Sequence, residues 1–208
     1  MTVPVSRSLL TPAELQFIAH CADKRIQDFA AGRACVRMAL SEWGLADFSV
    51  LAGPRREPLW PSSIVGSITH TYGYAAAVVA KQRDLRGIGV DCEVISSVDE
   101  DLWSRICTPP ELERLAGLPA DERNRQAALI FAAKEAFYKC QFPMSREWVG
   151  FEDVLIEPVS GFAATGDFRI VPQNPLPVDE ATLAALVCRF QFRKGWVLAG
   201  VSIPAADA

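Results

Sequence analysis

Asp91 and Glu93 stand two residues apart in the run Ile88-Gly-Val-Asp-Cys-Glu-Val-Ile95, where Ile88, Val90, Cys92 and Val94 alternate with Gly89, Asp91 and Glu93. A period of two marks a strand. Both carboxylates therefore leave one face, about 7 Å apart along the backbone at a rise of ~3.4 Å per residue. Like charges so placed favour a cation between them, and Gly89 on the same face leaves room for a ligand to approach the backbone. An acidic sheet edge facing water has the same pattern.

Further along, Phe131-Ala-Ala-Lys-Glu-Ala-Phe-Tyr-Lys139 sets Glu135 and Lys139 one helical turn apart. On an exposed helix such a pair adds only ~0.3–0.5 kcal/mol. Here Phe131, Ala132, Ala136 and Phe137 make the helix apolar around much of its circumference, which draws both charges inward, where they need partners. Facing Asp91 and Glu93, they would hold a divalent metal and a phosphate. Gly66-Ser-Ile-Thr-His70 places a hydroxyl and an imidazole before a turn. His20 is the other histidine, and a lone histidine serves structure as readily as binding. Ser67 lies in neither G-x-S-x-G nor S-x-x-K, so a nucleophilic serine is not indicated. Arg25, Arg33, Arg37, Arg55 and Arg56 crowd the first 60 residues and suit either a phosphate clamp or a solvated surface. Neither a Walker A loop nor G-x-G-x-x-G is present.

The elements that must position these groups are partly marked. Thr11-Pro-Ala-Glu14 and Thr108-Pro-Pro-Glu111 have the form of capping boxes with proline at the first helical position. Ile26, Phe29, Ala30, Val36 and Leu40 predict a long amphipathic helix over 22–43, and a second is expected over 118–140, ended by Phe142-Pro143. Three prolines make 53–61 a loop. Short strands are expected at 64–67, 74–81 and 88–95, then at 153–156, 168–171, 186–192 and 196–203, the last two joined as a hairpin across Arg193-Lys-Gly195. The segment 160–179 carries little signal. The pattern is α+β in two halves, 1–100 and 101–208, with a weak seam at 97–108.

The 208 residues are 50% apolar and 22% charged, enough for a sizeable core. With 21 basic and 25 acidic residues the formal charge is −4, which argues against a duplex nucleic-acid binder and leaves any anionic ligand to local arginine clusters. Six scattered cysteines without a C-x-x-C pair read as reduced thiols. The opening MTVPVSRSLLTPAELQF has no charged leader with a long apolar run, and no window spans a membrane, so a cytoplasmic location is expected.

In this order, Gly66-Ser-Ile-Thr-His70, Gly89-Val-Asp-Cys-Glu93 and Phe131-Ala-Ala-Lys-Glu-Ala-Phe-Tyr-Lys139 resemble the three signature motifs of the Sfp-type 4′-phosphopantetheinyl transferases. The likeness extends through Lys24-Arg25, Phe29, Gly32-Arg33 and Gly53-Pro-Arg-Arg-Glu-Pro-Leu-Trp-Pro61, and past the third motif to Trp148-Val-Gly-Phe-Glu-Asp153. It covers about residues 22 to 155 and is nearest the bacterial subgroup of the enterobactin-synthase type and its actinobacterial relatives. Phe131 stands where many members have tryptophan, and Cys92 fills the middle of D-x-E, where small or aliphatic residues are common.

The resemblance implies a pseudo-twofold α+β fold with coenzyme A and Mg²⁺ in the cleft between two halves, the second carrying the K-E-A-x-x-K helix. It implies transfer of the 4′-phosphopantetheine arm to a serine of an acyl, aryl or peptidyl carrier protein, as in fatty-acid, polyketide, nonribosomal-peptide or siderophore synthesis. Adenosine 3′,5′-bisphosphate is the expected leaving product. Asp91, Glu93 and Glu135 match the family's metal ligands, Glu135 also the proposed base, and Lys139 the lysine at the pyrophosphate. Arg25, Arg33, Arg55 and His70 match positions holding CoA phosphates, with Arg56, Glu57, Pro58 and Thr69 alongside the nucleotide. A Mg²⁺-dependent CoA pyrophosphatase would use the same residues with water as acceptor, and a non-catalytic CoA-binding protein would need fewer of them. A monomer is expected, with no nucleic-acid or membrane partner. Carrier docking is expected at the helix after Thr108, where Arg105, Arg114, Arg123 and Arg125 accompany Leu112 and Leu115.

Overall fold

Two long helices and two antiparallel sheets frame the pocket described below. In the computed structural model, which describes residues 7–159 and 163–205, helix α1 spans Pro12–Phe17 and α2 Asp23–Ser41. The start of the N-terminal run and Ser160 to Phe162 of the low-signal segment lie outside the described residues. Both capping boxes form, with Thr11 and Thr108 each exchanging hydrogen bonds with the glutamate three residues on. Strands β1 (Ile64–Thr71) and β2 (Tyr74–Lys81) make an antiparallel hairpin. The first strand thus runs through His70, and the turn falls at Tyr72-Gly73, where Gly73 has φ 71°.

Strand β3 (Leu85–Val94) lies at the edge of a five-stranded antiparallel sheet, followed by β7 (Trp196–Pro204), β6 (Val187–Arg193), β5 (Thr165–Pro172) and β4 (Val154–Pro158). The sheet therefore joins both halves of the chain, since β3 pairs with β7 from Leu85↔Pro204 to Val94↔Trp196. Hydroxyl groups fasten the hairpin to β3. Ser67 Oγ accepts from Val90 N at 3.0 Å, and Thr69 Oγ1 accepts from Cys92 N at 3.0 Å, standing where a neighbouring strand would present carbonyls.

Helix α5 (Ala120–Ser145) lies across the sheet and contributes much of the main core, with Leu129, Ile130, Ala133, Phe137 and Cys140 packed against Val197, Ala199, Val201 and Ile203. It runs past Pro143 to Ser145, because a proline in the last turn forfeits only the bond to the carbonyl of Lys139. The seam at 97–108 is also helical: α3 covers Glu100–Ile106, with acids in its first turn and Arg105 in its last, complementing the dipole. Helix α4 (Pro109–Ala116) turns Leu115 into the core, and a short α6 covers Glu180–Ala184. Three of the four arginines expected at the docking surface have partners within the chain. Arg114 donates to Ile156 O at 2.9 Å, Arg123 sits 3.7 Å from Glu100, and Arg125 covers the Phe192 ring at 4.3 Å.

Among the described residues no helix is long and apolar enough to cross a membrane. All six cysteines are free thiols, four of them buried.

Candidate active site

Gly89 decides how the third motif meets the second. A Cβ there would lie 1.8 Å from Ala136 O and 2.7 Å from Cys140 N, so α5 crosses β3 in backbone contact. The room left by this glycine is filled by the helix and not by a ligand. The close crossing brings Glu135 and Lys139, on one face of α5, over Asp91 and Glu93 on β3. Lys139 Nζ reaches Asp91 Oδ1 at 2.6 Å and Val90 O at 3.4 Å. Thr69 Oγ1 donates to the same Oδ1 at 2.9 Å.

A cavity of about 460 Å³ opens above this contact, lined by Arg25, Arg33, Arg55, Arg56, Glu57, Pro58, His70, Asp91, Glu93, Glu135 and Lys139. Every site residue expected from the motifs is there except Thr69, which is buried beneath Asp91 and holds it in place. The remaining wall includes Asp28, Ser67, Phe131, Tyr138, Phe142 and Pro143. The sequence reading does not place these in the site; the signal that could have found three of them is that Phe131, Tyr138 and Phe142 share one side of a helix with Glu135 and Lys139.

The carboxylates crowd one another. Burial raises the proton affinity of Glu93, with Asp91 adding to the rise against the opposing pull of Lys139, and its pKa reaches about 7. Burial also raises that of Glu135, partly offset by Lys139. The Cys92 thiol is pushed up to about 12 by burial and then by Asp91 and Glu93.

Among the described residues no three such side chains close into a ready-made metal centre. A divalent cation nonetheless fits the donor set. Asp91 Oδ2 is buried without a hydrogen-bond partner, and a cation beside it would satisfy that oxygen and offset the repulsion between the Asp91 and Glu93 carboxylates.

The arginines divide by role. Arg33 is buried, its Nε donating to Val50 O and its guanidinium 4.0 Å from the Phe29 ring centre, and burial lowers its pKa to about 10. It remains charged while bracing the segment that leads to the arginine loop. Arg37 belongs to the scaffold, donating to the buried Glu14 carboxylate at 3.2 Å. Arg55 and Arg56 are exposed on the loop closed by the Ala52↔Pro58 bridge. Burial holds His70 below its usual range, Lys139 and Arg25 adding to this against Asp28.

Lys134, beside Glu135, points away from the pocket into a buried ion pair with Glu111 at 2.7 Å and donates to Ile106 O and Phe151 O. Residue type alone does not separate it from Lys139, five residues further along the helix.

Thr69 carries a direct test. Thr69→Val should leave the Cys92 N–H unpaired and Asp91 less restrained, costing about 1–2 kcal/mol of stability and lowering turnover roughly tenfold. Thr69→Ser should restore most of both, as read by thermal melting and kcat.

The motifs have known counterparts. Residues 13–80 match the family model of the 4′-phosphopantetheinyl transferase N-terminal domain, and residues 87–176 that of the 4′-phosphopantetheinyl transferase superfamily. The chain is 39% identical over 158 residues to the 4′-phosphopantetheinyl transferase Npt of Nocardia iowensis, spanning 75% of this chain and 70% of that protein. It is 31% identical over 201 residues to Svp of Streptomyces mobaraensis, spanning 95% and 80%. It is also similar to enterobactin synthase component D of Escherichia coli K12, with 39% identity over 131 residues spanning 61% and 58%. With the second family model covering the strand and helix that carry the pocket's carboxylates, and with Npt and Svp matched over 70% and 80% of their own length, the chain belongs to the 4′-phosphopantetheinyl transferase superfamily.

Proposed function

We propose that this chain transfers the 4′-phosphopantetheine group of coenzyme A to a serine of an acyl, aryl or peptidyl carrier protein, with Mg²⁺ and release of adenosine 3′,5′-bisphosphate. The observation that carries the reading is the joining, in one cavity, of arginines from the first half of the chain with three carboxylates and a lysine gathered by β3 and α5. Residues 1–100 supply the anion-binding wall and the D-x-E strand. Residues 101–208 supply the helix that closes over them.

In the reaction the serine Oγ forms a bond to the phosphorus bearing pantetheine, the bridging P–O bond of the pyrophosphate breaks, and the adenosine 3′,5′-bisphosphate leaves with that electron pair. Glu135, its proton affinity raised by burial, accepts the serine proton. Lys139 lies against Asp91 and stabilises charge on the leaving phosphate. Asp91, Glu93 and Glu135 would hold Mg²⁺, which when bound supplies further neutralisation of that charge. Release of adenosine 3′,5′-bisphosphate only when apo carrier is present supports transfer. Release with free phosphopantetheine in its absence would favour the hydrolase.

Exposed Arg55 is the natural contact for the 3′-phosphate. Arg55→Ala should raise KM for CoA by about tenfold or more, a charge-assisted hydrogen bond being worth ~1.5–3 kcal/mol. The loss for dephospho-CoA should be smaller, because that ligand never made the contact. Equal losses would place Arg55 elsewhere.

A further inference from the structure

An ion pair crosses the rim of the pocket and takes no part in the chemistry above. Glu57, in the arginine loop, and Arg146, just beyond α5, are 89 residues apart in the chain, yet Arg146 Nη1 lies 2.9 Å from Glu57 Oε1. The Glu57 carboxylate is folded inside its own loop. Its Oε2 accepts from Arg55 N at 2.9 Å, and a Cβ on Gly53 would come within 2.3 Å of Oε1.

Arg146 stands at the left-handed position that ends α5, with φ 60°, and its N–H donates to Phe142 O. Glycine fits that position best. An arginine there bears a backbone cost that its side chain must offset, and the side chain does two things: it meets Glu57, and it lies 6.0 Å from the centre of the Phe142 ring. Glu57, Arg55, Arg56, Phe142 and Pro143 all line the pocket, so the pair ties its arginine wall to the end of its helical wall.

We propose that Arg146 is a positioning residue for the anion-binding wall, holding the Arg55–Arg56 loop against α5 through the Glu57 carboxylate. The inference rests on the CoA reading above. Arg146 is 59% exposed and Glu57 10%; exposed pairs contribute little to stability, so the consequence is geometric and falls on ligand affinity.

The test is a double-mutant cycle on the whole chain with Arg146→Gly and Glu57→Gln, reading the Kd of CoA by calorimetry, KM and kcat with a carrier, and Tm. Arg146→Gly removes the pair while suiting the left-handed backbone, so Tm should hold. Each single substitution should weaken CoA binding about two- to fivefold, the KM rise for Arg146→Gly should come with little change in kcat, and the double should be no worse than the worse single. Arg146→Lys should recover part of the affinity. If Arg146 contacted CoA itself, Glu57→Gln would free it and tighten binding, or the two losses would add, and either result would overturn the proposal. Unchanged Kd in both singles, with wild type binding CoA, would overturn the latch alone. A wild-type chain that binds no CoA would remove the reading on which the latch depends, and the latch with it.

Discussion

Glu135→Gln is expected to lower kcat by about two to three orders of magnitude, and the response to added Mg²⁺ assigns the loss. A serine hydroxyl is a poor nucleophile at neutral pH, so a carboxylate beside it helps only if it can take the proton. Burial raises the proton affinity of Glu135, which suits a base. Asp91 has the other character: one oxygen is held by Lys139 and Thr69, and the other is buried without a partner. Asp91→Asn should therefore regain part of its lost rate as Mg²⁺ is raised, whereas Glu135→Gln should resist that rescue. Near wild-type turnover of Glu135→Gln in limiting Mg²⁺ would remove both roles, and with them the assignment of α5 as the catalytic helix.

Lys134→Met should cost about 3–5 kcal/mol of stability. The Glu111 carboxylate is fully buried; it caps α4 through Thr108 N at 2.7 Å, accepts from Ile156 N at 2.7 Å and meets Lys134 at 2.7 Å. Removing the ammonium leaves that charge without a counter-ion and two carbonyls without a donor. For a chain of this size the loss corresponds to a fall of roughly 10 °C in Tm. Adding Glu111→Gln should return part of it, because the stranded charge is gone. A fall of only a degree or two would mean that the pair does not anchor α5 at its crossing over β3.

Much of the candidate site was legible in the residues. Alternation exposed β3 and put Asp91 and Glu93 on one face, and the apolar surround of Glu135 and Lys139 foretold that both would turn inward. Other features were not, because they depend on what packs where. Gly89 advertises space, but only the fold says that α5 takes it. Thr69 and Arg33 were expected beside the ligand only through the resemblance, and residue type gave no sign of the protein partners that burial gives each of them. Pro143 reads as a stop, although a helix loses just one hydrogen bond to a proline in its last turn. Helix α3 carried its own signal in Glu100, Asp101 and Arg105, obscured by its short length. The arginines near Thr108 follow charge alone, which does not distinguish a docking face from side chains that cover carbonyls and rings.

Intact-mass measurement of a small panel of apo carrier proteins, incubated with this chain, CoA and Mg²⁺, tests the central claim most directly. The account predicts that at least one carrier gains one phosphopantetheine group, that the gain vanishes when its acceptor serine is replaced by alanine, and that it vanishes with Glu135→Gln. CoA consumed with no carrier changed in mass, or a mass gain indifferent to Glu135, would contradict it.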